Sequence, residues 1–365
     1  MNITYSRWTN SEAASVDAER TMLSDLYATI MIQVGGNVDE ALEILRELDR
    51  RYGLTTSMTI DDFIADLRRR GLVDEQASGG WSTTPRGDRF IRTSALHEIF
   101  RSLKKAGFGN HDISSVGKGV ERTAETRLFA FGDRPNDIDV TQTLTNLFQR
   151  TGSIDSVRLN EDDVHVFETE HQTSCATVLL IDISHSMILY GEDRITPAKK
   201  VALALAELIS TKYPKDSLDV VVFGDEARQV SVNDIQYITV GPFHTNTRDG
   251  LRMARTILKR SRHANKQILM ITDGKPSALT LEDGRIYKNS FGLDERIVNK
   301  TLDEAMACRR SNITISTFMV AQDAWLRAFV EDFTRANKGR AFFTGLDGLG
   351  TNVFVDYIRN RRSFR

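Results

Sequence analysis

The residues best equipped for chemistry fall in three short clusters. Asp182-Ile-Ser184-His-Ser186 follows a continuous apolar run, Ala176-Thr-Val-Leu-Leu-Ile181. Asp273-Gly-Lys275-Pro-Ser follows a second run, Gln267-Ile-Leu-Met-Ile-Thr272. Between them lies Gly241-Pro-Phe-His-Thr245-Asn-Thr247, immediately ahead of a helical pattern. Together these segments offer two carboxylates, Asp182 and Asp273, with the hydroxyls of Ser184, Ser186 and Thr245. All the donors are oxygen and none is a thiolate, which suits a hard divalent cation: Mg²⁺ foremost, with Mn²⁺ or Ca²⁺ as alternatives. Two carboxylates are too few for a tight calcium cage. A cation held by hydroxyls and water keeps excess positive charge and attracts one more carboxylate from outside.

Residues 173–365 alternate strand-like and helical segments. The strands are continuous apolar runs, as expected of a sheet covered on both faces. The predicted order is strand 176–181, a helix capped by Thr196 with Pro197 in its first turn, strand 218–223, a helix through Leu251–Leu258 and strand 267–272. Helix 294–310, strand 313–320, a helix around Trp325–Ala336, strand 341–343 and a helix from Asn352 complete it. This alternation predicts an α/β fold, doubly wound with a mostly parallel sheet and helices on both faces. In such sheets the ligand site lies outside the carboxyl ends of the strands, where the three clusters fall.

The clusters, taken in order, resemble the metal-ion-dependent adhesion site (MIDAS) of von Willebrand factor A (VWA) domains. The resemblance implies that Ser184, Ser186 and Thr245 ligate the metal directly, and that Asp182 and Asp273 act directly or through water. Asp182-Ile-Ser-His-Ser-Met187, Pro197-Ala-Lys-Lys-Val-Ala-Leu203, Ile271-Thr-Asp-Gly-Lys-Pro276 and Asp356-Tyr-Ile-Arg-Asn-Arg-Arg362 look like a bacterial VWA group related to CoxE-like and magnesium-chelatase D-like proteins. Members of that group typically partner AAA+ ATPases of MoxR or chelatase type. The implied role is a non-catalytic, Mg²⁺-dependent adaptor that engages an acidic residue of the ATPase or of its client, in remodelling or metal insertion. His185, Thr247, Lys275, Tyr287 and Phe291 are the expected partner-binding rim. The last two lie in a loop of about twenty residues after Asp273, long for such a link. That loop is expected either to be functional or to lack order.

Residues 1–105 read as helical, with stripes at Met22–Ile32, Leu42–Leu48 and Ile60–Leu67, then a hairpin-like stretch ending at Thr84-Pro85-Arg86-Gly87. The outline resembles a winged helix. Its candidate recognition helix opens with Asp61, Asp62 and then Asp66, the wrong sign for phosphates, so a packing or protein-docking role is favoured over DNA binding. Residues 106–172 read as a polar connector arm packing on the next domain, with a short helix at Val140–Phe148.

Composition sets the remaining limits. The 365 residues carry 48 Lys+Arg against 50 Asp+Glu, a formal net charge of −2, which argues against a bulk nucleic-acid or membrane-surface binder. No apolar run approaches the roughly 20 residues of a membrane span. The amino terminus carries no signal-like pattern, and Cys175 and Cys308 have no partner at zinc-ligand spacing, so a reducing, cytoplasmic setting is expected. His185 beside two serines lacks an orienting third group for nucleophilic catalysis, and no P-loop occurs. The competing expectations are a Mg²⁺-dependent phosphohydrolase on the same acidic strand ends, and a DNA-binding regulator using the winged-helix-like segment.

Overall fold

The computed structural model describes residues 11–77, 79–105, 122–130, 138–151, 159–169, 174–289, 291–320 and 324–362. Along the first segment run α1 (Ser11–Gln33), α2 (Val38–Tyr52), α3 (Ile60–Arg69), the antiparallel pair β1 (Val73–Glu75) and β2 (Trp81–Thr83), and α4 (Pro85–Lys105). The ends of these helices are written in the sequence. The Asn37 side chain accepts from Glu40 N at the start of α2. Thr59 and Asp62 form a reciprocal capping box on α3. Thr84 Oγ1 accepts from Gly87 N at the first turn of α4, just ahead of Pro85.

The acidic residues of α3 have structural work. Asp61 pairs with Arg46, and buried Asp66 holds Arg20, Arg69 and Arg70, while Arg68 pairs with Glu75. The arginine run at 68–70 is thus partly paired within the fold, four guanidinium groups sharing the two carboxylates of Asp66 and Glu75.

Residues 112–173 are a compact unit of their own. Its described part contains β3 (Arg122–Leu128), α5 (Val140–Thr151) and β4 (His165–Thr169), with β3 and β4 antiparallel. Leu147 and Val166 are buried in it, and Arg150 clasps Asp163 with two hydrogen bonds. The helix falls where the sequence places it; the paired strands around it were read only as a connector.

The rest is a six-stranded sheet in the order β12-β11-β8-β5-β6-β7. In chain order come β5 (Cys175–Asp182), α6 (Ile195–Lys212), β6 (Ser217–Phe223), β7 (Ala227–Val230), α7 (Thr247–Arg260) and β8 (Asn265–Thr272). A hairpin, β9 (Ala278–Thr280) and β10 (Ile286–Lys288), is followed by α8 (Glu295–Arg310), β11 (Ile313–Met319), α9 (Ala324–Asn337), β12 (Arg340–Phe343) and α10 (Leu349–Arg362). All neighbouring strands of the sheet are parallel except the edge strand β7, so the sheet is mostly parallel as expected.

Period-two alternation explains how both faces are covered. Leu179, Ile181, Val220, Val222, Leu269 and Ile271 turn toward the core shared with α6, α10 and the N-terminal helices. Val178, Leu180, Val221, Phe223, Ile268 and Met270 turn toward α7, α8 and α9.

α6 is the central helix of the first face. Twelve of its eighteen residues are buried, so it is enclosed nearly all round. α4 lies along it, with Lys200 paired to Glu98 and Arg92 to Glu207, and Phe100 meets Phe354 of α10 edge-on. Residues 11–105 and the α/β domain therefore form one compact unit.

Two expectations change. The helix after β5 is capped by Asp193, whose carboxylate accepts from Thr196 N; Thr196 itself lies inside the helix. The long loop after Asp273 folds into the β9–β10 hairpin, with Gly284 at φ 83° in its turn.

Candidate functional site

The site sits at the carboxyl edge of the sheet, around β5. The chain leaves β5 toward β6 on one side and returns to β8 on the other, which makes this edge the switch point of the topology. β5 delivers Asp182 as its last residue. Ile183 N still pairs with Phe223 O, which draws the following turn back over the strand ends. Ser184 N donates to Asp182 Oδ1 at 2.9 Å, and a 3₁₀ turn from His185 carries Ser186 beside Ser184, their hydroxyls 3.1 Å apart.

β8 supplies the second carboxylate. Ser186 Oγ donates to Asp273 Oδ1 at 2.7 Å, and Thr272 Oγ1 donates to Asp182 Oδ2 at 2.6 Å. Thr245 arrives on the loop ahead of α7, held by Ser277: Thr245 N donates to Ser277 Oγ and Ser277 N donates back to Thr245 O.

Gly274 marks the centre of this arrangement. A methyl group placed on it would lie 3.1 Å from Ser186 Oγ, 3.1 Å from Thr245 Oγ1 and 3.7 Å from Asp182 Oδ2. Oxygens from two separated chain segments, residues 182–186 and Thr245, thus face one small volume beside Gly274. Among the described residues no three or more His, Cys, Asp and Glu side chains are grouped as metal ligands. The donor set is hydroxyl and carboxylate, and it fits a hard divalent cation.

Burial, with the charge of Asp273 beside it, pushes the Asp182 carboxyl well above the usual carboxylate range, against the hydrogen bonds from Ser184 and Thr272. Asp182, Ser184, Thr245 and Asp273 are all at most 4% exposed.

Two residues missed in the sequence complete the surroundings. Arg194, just ahead of α6, donates from Nη1 to Asp273 Oδ2 at 2.6 Å and from Nη2 to Glu192 at 2.9 Å. Burial works against its charge, yet those two carboxylates raise its pKa further above the ordinary arginine value. Asn246 is fully buried: its Oδ1 caps α7 at Asp249 N, and its Nδ2 donates to Asp225 O and Thr280 Oγ1. A side-chain cap ahead of α7 was legible in Asn-Thr-Arg-Asp; no spacing rule pointed to Arg194.

The expected rim divides. His185 is exposed and its backbone N donates to Phe243 O, while Lys275 is half-buried directly after Gly274. Thr247 is 3% exposed and begins α7, so it presents nothing to a partner. Tyr287 is tied into the hairpin, donating to Asp294 Oδ2 at 2.9 Å with Arg296 over its ring. Phe291 is 89% exposed. Lys288 anchors the hairpin to the loop after β6 through Asp225, at 2.6 Å.

A family model described as Rv0959-like protein, vWA domain, matches residues 175–358, and one described as Rv0959-like protein, third domain, matches residues 121–169. The chain belongs to the Rv0959-like vWA family. Relatives in Mycobacterium tuberculosis and Mycobacterium bovis, both named as uncharacterized proteins, are 32% identical over 309 residues, or 82% of this chain. The chain spans 45% of the length of these curated relatives.

Among solved structures, the vWF domain of the type V pili tip protein Mfa5 from Porphyromonas gingivalis aligns with a TM-score of 0.41 and 16% identity, over 52% of this chain and 96% of that one. The PilB minor pilin from Streptococcus sanguinis aligns at 0.43 and 14%, over 57% of this chain and 67% of the pilin. The Rv0959-like vWA domain here is an α/β fold with its polar clusters at one edge of the sheet. Among the described residues no helix is long and apolar enough to cross a membrane.

Proposed function

We propose that this Rv0959-like vWA protein is a non-catalytic, divalent-cation-dependent adaptor whose MIDAS-type site engages an acidic residue of a partner protein. The observation that carries this reading is the cradle at Gly274, with Ser186, Thr245 and Asp182 oxygens around one point and Asp273 bonded to Ser186. A bound Mg²⁺ would supply an electrophilic point of attachment for a carboxylate. Ser184, Ser186 and Thr245 would hold it as neutral ligands, and Asp182 and Asp273 would hold it directly or through water. Buried hydroxyl donors leave most of the ion's charge uncompensated, so an incoming carboxylate gains what the protein withholds.

His185 and Lys275 border this opening and carry the contacts around the acidic group. The partner we propose is an AAA+ ATPase of MoxR or chelatase type, or the client it remodels, in a cytoplasmic setting. The two buried cysteines suit that setting; burial and Glu304 push Cys308 up to about 12, far from a reactive thiolate.

The test is co-precipitation of the partner from the native cell extract with tagged protein, in Mg²⁺ and in EDTA. Capture is expected in Mg²⁺ and lost in EDTA and in Asp182→Asn. Undiminished capture of the same partner by a folded Asp182→Asn protein would contradict the proposal.

A further inference from the structure

Asp273 is engaged on both oxygens. Oδ1 accepts from Ser186, on the cradle side, and Oδ2 accepts from the Arg194 guanidinium at 2.6 Å. The Asp273 side chain is fully buried and that of Arg194 is 13% exposed, so this pair is largely shielded from solvent screening. Arg194 is also held in place from other directions: Glu192 accepts from its Nε and Nη2, and its backbone N donates to Met187 O. Asp193 caps the helix that begins beside it. The guanidinium is therefore a fixed positive charge shared with one of the two carboxylates of the cation site.

We propose that Arg194 is the affinity-determining residue of that site, an intramolecular cation that competes with the divalent ion for the charge of Asp273. The inference rests on the MIDAS reading. Asp273 already carries a charge-assisted hydrogen bond from a permanently protonated group. A second cation in the cradle meets a carboxylate half neutralised and a like charge across it. Both effects weaken divalent binding relative to a site with a neutral side chain at 194. The site then loads weakly by itself, and an anionic group brought by a partner restores the missing negative charge.

The experiment uses Mn²⁺ alone as probe, titrated by calorimetry into chelator-stripped full-length protein, with thermal melting as a second readout. Arg194→Met is expected to bind Mn²⁺ about tenfold tighter than wild type. In chelator it should melt lower than wild type, because a buried Asp273 has lost its counter-charge, and it should gain more from Mn²⁺. Arg194→Lys keeps the charge and is expected to stay within a few-fold of wild type. Equal or weaker Mn²⁺ binding by folded Arg194→Met overturns the competition while leaving the MIDAS reading standing. Absence of Mn²⁺ binding in wild type and Arg194→Met alike overturns both. Binding by the variant with none in wild type supports the proposal in its strongest form.

Discussion

At the scale of single residues, the site is a set of oxygens whose identities the sequence displays and whose convergence follows from parallel-sheet topology. Asp182 and Asp273 could be paired from their positions after two apolar runs. Thr245 could be placed by the helix that follows it. Arg194 could not, because a 3₁₀ turn and a short loop bring it back over β8 and neither leaves a periodic trace.

Gly274 gives the sharpest residue-level prediction. It needs no positive φ, so Gly274→Ala is compatible with the backbone, yet its methyl group would occupy the cradle. The variant should fold, with a melting temperature in chelator near that of wild type, and should lose divalent-ion stabilisation; the readout is the melting shift on adding Mg²⁺.

Lys199 makes a prediction about pH. Burial lowers its pKa from 10.5 to about 8, while its ammonium donates to the carbonyls of Gln236 and Ile238. Between about pH 8 and 10.5 the unfolded chain binds the extra proton, so stability from this group rises with pH across that window, by roughly 3 kcal/mol in all. Chemical denaturation at several pH values should show this rise in wild type, and it should be missing in Lys199→Met.

At the scale of elements, the loop carrying Thr245 is the part most dependent on its neighbours. Asn246 joins the start of α7, the turn after β6 and the β9–β10 hairpin through one buried amide. Asn246→Ala removes a helix cap and leaves buried partners unsatisfied, a loss of about 2 kcal/mol in denaturant titration. Because Thr245 follows the same loop, the variant should also weaken Mg²⁺-dependent stabilisation.

The regular elements from β5 onward were legible because buried strands and amphipathic helices leave distinct patterns. The hairpin was hidden by its short strands, although Asp283-Gly284 is a turn signal between Leu279 and Ile286. β7 was hidden for a different reason: its four residues are partly exposed at the sheet edge and carry no apolar run. Close packing set another feature no pattern shows. A Cβ on Gly250 would meet Leu180 and Phe223 at 3.1 Å, so α7 lies directly against β5 and β6 near the site.

At the scale of the whole molecule, the N-terminal helices and the vWA domain pack into one compact unit. Leu96 and Ile99 of α4 and Ile32 of α1 share a core with Leu205, Phe354 and Tyr357. A chain beginning at residue 174 would expose much of α6, an exposed apolar surface of the kind that drives association. It should be poorly soluble or aggregate on size-exclusion chromatography, whereas the full chain should not. The winged-helix-like outline did not show which surface these helices cover, because helical periodicity reports which face is apolar and not what covers it. Covering that face supports α6, the helix that begins directly after Arg194 beside the proposed cation site, so stability of the N-terminal region bears on the site's geometry.

Asp182, Ser184, Ser186, Thr245 and Asp273 are the proposed ligands of one divalent cation. Calorimetric titration of Mn²⁺ into chelator-stripped protein, repeated with the Ser184→Ala/Ser186→Ala variant, tests this most directly. One ion per chain is expected for wild type, and none at the same concentrations for the variant, with both proteins folded by circular dichroism. Retention of that one ion with unchanged affinity in the double variant would contradict the assignment.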